Sequence, residues 1–133
     1  MEHKRKAKHQ EVGDHGERIA CRYLQEKGYR ICDTNASNRY GEIDIIALRK
    51  GMYHFVEVKT LSGKYYPHKA EHYHPLDHLN KQKKRALNNA IWEYRREYGL
   101  LDTDCTFSAI ALWLDESTKQ ADIKYYPHLE IGD

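Results

Sequence analysis

The chain has 133 residues, a formal net charge of +2 and a hydrophobic fraction of 40%. We expect one domain with a single core from this length, and no membrane span, because no apolar stretch reaches about 18 residues. The basic N-terminus lacks the apolar segment of a secretory signal, and the three cysteines match no zinc spacing, so we expect reduced thiols and a cytoplasmic protein.

The first half of the chain is predicted from apolar periodicity and from turn residues. Residues 1–12 are expected to form a basic N-terminal arm, and residues 13–133 a single domain. Helical spacing of apolar residues predicts a helix from Gly13 to Gly28. A short strand is expected over Tyr29–Asp33, and the polar run 34–38 is expected to form a turn or loop.

The remaining elements complete a mixed sheet. In chain order we expect strands at Gly41–Leu48 and Met52–Thr60, a long loop at about 61–78, a helix at about Leu79–Tyr98, and strands at Cys105–Leu114 and Ala121–Tyr126. The order αβββαββ indicates an α/β fold in which a central mixed sheet of about five strands is flanked by helices. The helix between the third and fourth strands should form a right-handed crossover.

Charged residues meet at one end of the predicted hairpin. A two-residue turn at Lys50-Gly51 pairs Leu48 with Tyr53, and further from the turn it pairs Asp44 with Glu57 and Glu42 with Lys59. A three-residue loop would shift this register by one residue and separate the charges.

Two opposed carboxylates favour a metal site. Directly opposed Cβ atoms lie about 4.5–5.5 Å apart, and like charges there destabilise a sheet. Mg²⁺ uses one or two protein carboxylates and keeps positions for water and phosphate, while Lys59 could orient the attacking water or stabilise the phosphate. In the alternative interpretation, Glu42 and Lys59 form a plain ion pair, and Asp44 accepts backbone hydrogen bonds from the loop at 35–38.

Glu17 adds a third acid. It lies three residues before Ala20 and seven before Leu24, so it shares the apolar face of the first helix. It either has a partner there or lies at the edge of the stripe and reaches water.

The N-terminal half resembles a known family. The matching residues form a glycine-rich helix motif followed by the two strands: Gly13, Gly16, Glu17, Ala20, Tyr23, Leu24, Gly28-Tyr29, Asn38-Arg39, Gly41-Glu42-Ile43-Asp44 and Phe55-Val56-Glu57-Val58-Lys59. This succession resembles the uncharacterised bacterial YraN-type family, which is similar to the restriction-endonuclease-like, PD-(D/E)xK superfamily and to archaeal Holliday-junction resolvases.

The resemblance implies roles for four residues. Asp44 and Glu57 would bind Mg²⁺ (or Mn²⁺), Glu17 would complete the metal site, and Lys59 would assist the nucleophilic water. The resemblance also implies that Lys81 or Gln82, early in the following helix, faces the site. We expect nucleic-acid contacts from seven side chains: Arg39, Lys64, Lys69, Lys81, Gln82, Lys84 and Arg85.

The long loop carries four histidines and three tyrosines. His68, His72, His74 and His78 could form a transition-metal site, but prolines interrupt any helix that would align them, and a loop that closes over a polyanion is favoured instead. The tyrosines, among them Tyr73, could stack on bases.

The sequence therefore predicts a Mg²⁺-dependent endonuclease acting on DNA, including structured or branched DNA. The alternatives are an inactive nuclease-fold module that binds nucleic acid or a protein, and a purely structural interaction protein. A homodimer is left open, because nothing in the chain establishes one.

Overall fold

The computed structural model describes residues 2–62, 71–115 and 117–132. These ranges contain eight elements in chain order: α1 (Glu2–Glu26), β1 (Arg30–Asn38), β2 (Gly41–Arg49), β3 (Met52–Ser62), a 3₁₀ helix (Pro75–His78), α2 (Lys81–Glu97), β4 (Asp104–Asp115) and β5 (Gln120–Leu129). Apart from the 3₁₀ helix, this is the predicted order αβββαββ. No helix within the described ranges is long and apolar enough to cross a membrane.

The five strands form one mixed sheet in the order β1-β2-β3-β4-β5. Neighbouring strands are antiparallel except β3 and β4, which are parallel and are connected through α2. The predicted α/β class and the five-stranded mixed sheet are therefore confirmed. β4 is buried on both faces from Phe107 to Leu114, as its continuous apolar run predicts.

A helix covers each face of this sheet. Ala20 and Leu24 of α1 pack with Ile45, Val56 and Ile110. On the other face, α2 packs against a second cluster, which contains Ile46, Phe55, Ala90, Ile91, Tyr94 and Phe107. Because neighbouring residues of β2 and β3 point to opposite faces, the two clusters lie on opposite sides of the sheet.

The β2–β3 turn sets the predicted register. Lys50 and Gly51 have φ angles of 50° and 78°, which is the positive-φ pair of a type I′ hairpin turn. The ladder runs from Arg49 opposite Met52 to Ile45 opposite Val56. The predicted pairing is confirmed over this stretch, which ends one step before Asp44 would face Glu57.

The first helix is longer than predicted. It begins at Glu2 rather than Gly13 and ends at Glu26, so the backbone of the expected N-terminal arm is helical. Residues 2–12 lack apolar periodicity, but most of them are lysine, arginine, glutamate, glutamine or alanine. These residue types propagate a helix that packing has already anchored.

The expected turn at 34–38 was wrong, because β1 continues to Asn38 and the turn lies at 39–40. β1 is an edge strand, with β2 as its neighbour, so polar side chains along it stay partly solvated and do not end the strand. Asn35 adopts a φ of 50° within it, a conformation that asparagine tolerates better than most residues.

The loop expected at 61–78 is shorter at both ends. β3 extends to Ser62, and residues 75–78 form a 3₁₀ helix in which His74 Nδ1 accepts a hydrogen bond from Leu76 N. Residues 63–70 lie outside the described ranges. Asn80 caps α2, because its Oδ1 accepts a hydrogen bond from Lys83 N at 2.8 Å.

Candidate active site

Asp44 lies where β2 and β3 separate. Beyond Ile45 and Val56 the backbone ladder ends, and Val58 N donates instead to Asp44 Oδ2 at 2.7 Å. Alternation would place Ile43 on the α1 side with Ile45, yet Ile43 packs in the cluster on the α2 side. β2 therefore turns locally at Asp44, and the carboxylate lies where the two strands diverge.

Glu57 lies within electrostatic reach of Asp44. Burial and, to a smaller extent, the charge of Asp44 raise the pKa of Glu57 to about 7, against the opposing effect of Lys59. Burial also raises the pKa of Asp44 to about 6, with the Val58 N–H opposing and Glu42 adding to the shift. The carboxyls of Asp44 and Glu57 are thus both poorly solvated and close enough to repel each other.

Glu17 approaches from the α1 side of the sheet. Asn35 Nδ2 donates to Glu17 Oε1 at 2.8 Å, so this acid has the partner that its place on the apolar face requires. Burial raises the pKa of Glu17 most, and the charge of Asp44 adds to the effect. The side chain of Asn35 was not predicted to take part, because its segment was interpreted as a turn.

Glycine at position 16 brings Glu17 close to the sheet. A Cβ atom there would overlap Thr60 Oγ1 and press on Leu112 Cδ1. The lack of a side chain therefore lets α1 pack directly on β3 and β4, one residue before the acid.

Glu57 and Lys59 line a cleft of about 190 Å³ on the α2 side. Tyr73, His78 and Lys83 form part of its wall. Lys83 contributes the helix lysine to this cleft, whereas Lys81 and Gln82 are not among its lining residues. Lys83 went unrecognised because the phase of α2 depends on the cap at Asn80.

The other predicted basic contacts are dispersed. Arg39 is exposed in the β1–β2 turn, with its guanidinium 4.7 Å from the centre of the Tyr40 ring. On α2, Lys84 is half-buried and Arg85 exposed. Lys64 and Lys69 lie outside the described residues.

The ring of Tyr73 already has two aromatic neighbours. The ring stacks on His78 at 5.4 Å and meets Trp113 edge-on at 5.8 Å between centroids. Of the loop histidines, His68 lies outside the described residues and His74 caps the 3₁₀ helix. In the described ranges no group of three or more histidine, cysteine or acidic residues is arranged to hold a metal ion.

The alternative contacts proposed for the acids are also absent from the described part of the chain. The backbone partner of Asp44 is Val58 rather than the segment at 35–38. Among the described residues, Arg96 and Glu93 form a salt bridge, whereas Glu42 and Lys59 form none with each other.

A family model places the chain among known proteins. The model of UPF0102, an uncharacterised protein family, matches residues 16–112. The chain belongs to this family. The matched range contains all four residues of the predicted site, from Glu17 on α1 to Asp44, Glu57 and Lys59 on the hairpin.

Relatives of the UPF0102 chain occur in distant bacteria. A UPF0102 protein of Chlorobium phaeobacteroides (strain BS1) is 38% identical over 102 residues, which cover 77% of this chain and 76% of that protein. One from Alkaliphilus metalliredigens is 35% identical over 108 residues, covering 81% and 90%. One from Helicobacter hepaticus is 34% identical over 93 residues, covering 70% and 76%. The predicted resemblance to an uncharacterised bacterial family is confirmed.

The donor chemistry of the UPF0102 site fits a hard divalent cation. Asp44 and Glu57 supply carboxylate oxygens, the ligands that Mg²⁺ and Mn²⁺ prefer, and their raised pKa values show that their negative charges are poorly compensated. Two carboxylates suffice for Mg²⁺, which keeps most of its coordination as water.

Proposed function

We propose that this protein is a Mg²⁺- or Mn²⁺-dependent endonuclease that hydrolyses phosphodiester bonds in DNA, including structured or branched DNA. One observation carries the proposal: Asp44 and Glu57 hold two mutually repelling, half-buried carboxyls beside Lys59. Such an arrangement costs folding free energy unless a cation uses it.

The fold supports the proposal. A mixed sheet flanked by α1 and α2, with one acid on β2 and an acid and a lysine on β3, agrees with the restriction-endonuclease-like architecture that the sequence resembles. UPF0102 is an uncharacterised family, so the argument for function rests on the site.

The residues take distinct roles in this proposal. Asp44 Oδ2 is engaged by Val58 N, so Oδ1 is the oxygen assigned to the cation, together with the carboxylate of Glu57. Glu17, held by Asn35, adds negative charge from the α1 side. A bound divalent ion would supply Lewis acidity and lower the pKa of a bound water. Lys59 orients the attacking water and, with Lys83 in the same cleft, binds the phosphate.

The test is cleavage of single-stranded, duplex and branched DNA with Mg²⁺ or Mn²⁺. Asp44→Asn and Glu57→Gln keep side-chain shape but lose charge, and each should reduce cleavage by roughly 100-fold or more. Glu26→Gln, an exposed acid at the end of α1, is the matched control and should cleave as the wild type does. Cleavage by both site variants at the wild-type rate would show that the site is wrongly assigned.

A second candidate is a nuclease-fold module that binds nucleic acid without cutting it. It is favoured by one observation: the described residues contain no group of three metal-ligating side chains. This candidate predicts salt-sensitive DNA binding that survives Glu57→Gln, with no metal-dependent turnover. A purely structural interaction protein would show no DNA affinity even at about 50 mM salt.

A further inference from the structure

A groove along α1 takes part in the proposed chemistry only through Glu17. It has a volume of about 540 Å³ and lies between α1 and β1. Its lining residues are His15, Glu17, Arg18, Ile19, Cys21, Arg22, Gln25 and Thr34. Much of this lining is apolar, and its charged side chains are two arginines and one glutamate. The groove is therefore of mixed polarity, with a small excess of positive charge.

The two arginines lie on the α1 side of this groove. Arg18 and Arg22 are four residues apart on α1, so they lie next to each other, about 6 Å apart along the helix axis. Both are exposed, and within the described ranges neither forms a salt bridge. Two guanidinium groups are thus available to an anion, and guanidinium binds phosphate through paired hydrogen bonds.

Glu17 connects the groove with the acidic site. Glu17 lines the groove, and the same carboxylate interacts electrostatically with Asp44. The cleft with Lys59 and Lys83 lies on the α2 side of the sheet. Asp44, where β2 and β3 diverge, thus lies near two lysines on one face of the sheet and near two arginines on the other.

We propose that the groove along α1 binds the sugar–phosphate backbone of a DNA strand that continues from the acidic site, with Arg18 and Arg22 contacting its phosphates. The proposal rests on the proposed function in so far as DNA is the substrate. The two arginines fit a polyanion, and the link through Glu17 to the proposed phosphodiester-cleaving site favours nucleic acid over an acidic protein segment.

The test measures binding without cleavage. Fluorescence anisotropy in EDTA would follow a labelled single strand longer than the groove, across a salt series. R18Q/R22Q should bind at least about tenfold more weakly. The slope of log K against log salt concentration should become shallower by about 1.4, since each phosphate contact on a single strand contributes about 0.7 to that slope. R30Q/K50Q is the matched control: it removes two exposed positive charges at the far end of the hairpin, and its binding should stay close to that of the wild type.

Cys21 provides a second readout within the groove itself. In a C32S/C105S background it is the single remaining thiol, because the chain has three cysteines. Single-stranded DNA should slow its alkylation by a maleimide, and the added R18Q/R22Q changes should remove that protection. This readout reports occupancy of the groove rather than overall affinity.

The possible outcomes distinguish the groove proposal from the endonuclease proposal. If R18Q/R22Q binds as the control does and DNA leaves Cys21 unprotected, the groove proposal is overturned, even when Asp44→Asn abolishes cleavage. If the wild type never cleaves, but R18Q/R22Q loses binding and Cys21 is protected, the groove proposal stands and the endonuclease proposal fails. Poly-glutamate that protects Cys21 as well as DNA does would overturn the assignment to nucleic acid.

Discussion

Asp44 combines two roles at the scale of a single residue. Its Oδ2 replaces a backbone acceptor for Val58 N, and its charge repels Glu57 in a poorly solvated place. The hydrogen bond stabilises the place where β2 and β3 diverge. The charge destabilises the same place unless a cation is bound. The two contributions have opposite signs, so substitutions can separate them.

We expect Asp44→Asn to unfold at higher urea concentration than the wild type at about pH 8 without metal, because an amide oxygen still accepts from Val58 N and carries no charge. Asp44→Ala should be less stable than Asp44→Asn by about 1–2 kcal/mol, because it leaves the Val58 N–H without that acceptor. Urea unfolding of the three proteins in EDTA measures this difference. Equal midpoints for the two variants would contradict the role of the hydrogen bond.

Single-residue positions can be predicted from the sequence where spacing is rigid. The cross-strand partners from Arg49–Met52 to Ile45–Val56 could be predicted because strand alternation and a two-residue turn leave little freedom. Lys83 could not, because one residue of difference in the start of α2 rotates every side chain by about 100°. The bond from Asn35 to Glu17 joins elements whose relative position no local pattern encodes.

Gly16 determines, at the scale of elements, how closely α1 approaches the sheet. Its missing side chain leaves space that Thr60 and Leu112 fill. The same helix has a second glycine, Gly13, around which a Cβ atom would meet nothing within 4 Å. The two positions therefore form a natural pair for comparing packing with helix propensity.

We expect Gly16→Ala to lower the free energy of unfolding by about 1–3 kcal/mol through overpacking against Thr60. Gly13→Ala should be neutral or stabilising by up to about 1 kcal/mol, because alanine is the better helix former. Chemical denaturation measures both. In a double-mutant cycle, Thr60→Ala should recover part of the loss in Gly16→Ala, and simple additivity of the two changes would argue against the contact.

Element boundaries were predictable where an element is buried and less so at edges. β4 has an uninterrupted apolar run and was bounded within one residue at each end. β1 is polar over its second half and owes its extension to pairing with β2, as far as Asn38 opposite Gly41. The sequence of an edge strand contains little of that information, because its partner supplies the hydrogen bonds.

At the scale of the whole molecule, the site acids make stability depend on pH. An unfolded chain ionises its carboxyls near their ordinary pKa of about 4, whereas folding raises the pKa of Asp44 to about 6 and of Glu57 to about 7. Between these values the folded state holds protons that the unfolded state has lost. The contribution of these acids is therefore fully present below about pH 4 and is lost as the pH rises through about 7.

We expect the metal-free protein to lose stability between about pH 5 and pH 8 relative to a D44N/E57Q variant. The difference should amount to a few kcal/mol, since each tenfold change in proton affinity is about 1.4 kcal/mol. Burial lowers the pKa of His54 and acts with the opposite sign, but it does so in both proteins and cancels in the comparison. Thermal and urea unfolding across this pH range measure the difference.

Added Mg²⁺ should restore the lost stability of the wild type at about pH 8 and leave D44N/E57Q unchanged, because an ion that binds the folded state stabilises it by mass action. If the stability of the wild type followed that of the variant at every pH, folding would not raise the pKa values of Asp44 and Glu57.

The fold as a whole followed from the order of elements. Three strands, a helix and two strands leave few arrangements once β3 and β4 must be parallel and connected through α2, and the structure has that mixed sheet. The cleft beside Glu57 depends on how the 3₁₀ helix and α2 pack over β3 and β4. That packing joins residues distant in sequence, and so it required the structure.

Because β3 and β4 are parallel, we expect the parts of the site to form at different stages of folding. The β2–β3 hairpin closes over a two-residue turn, and such hairpins form in about 1–10 μs. β4 can join β3 only after the chain from Ser62 to Asp104 has closed a large loop, a step that is slower because its entropy is lost before its contacts form. We therefore expect Asp44, Glu57 and Lys59 to come together early in folding and the cleft wall that carries Lys83 to form later, an order that pulse-labelled hydrogen exchange would measure.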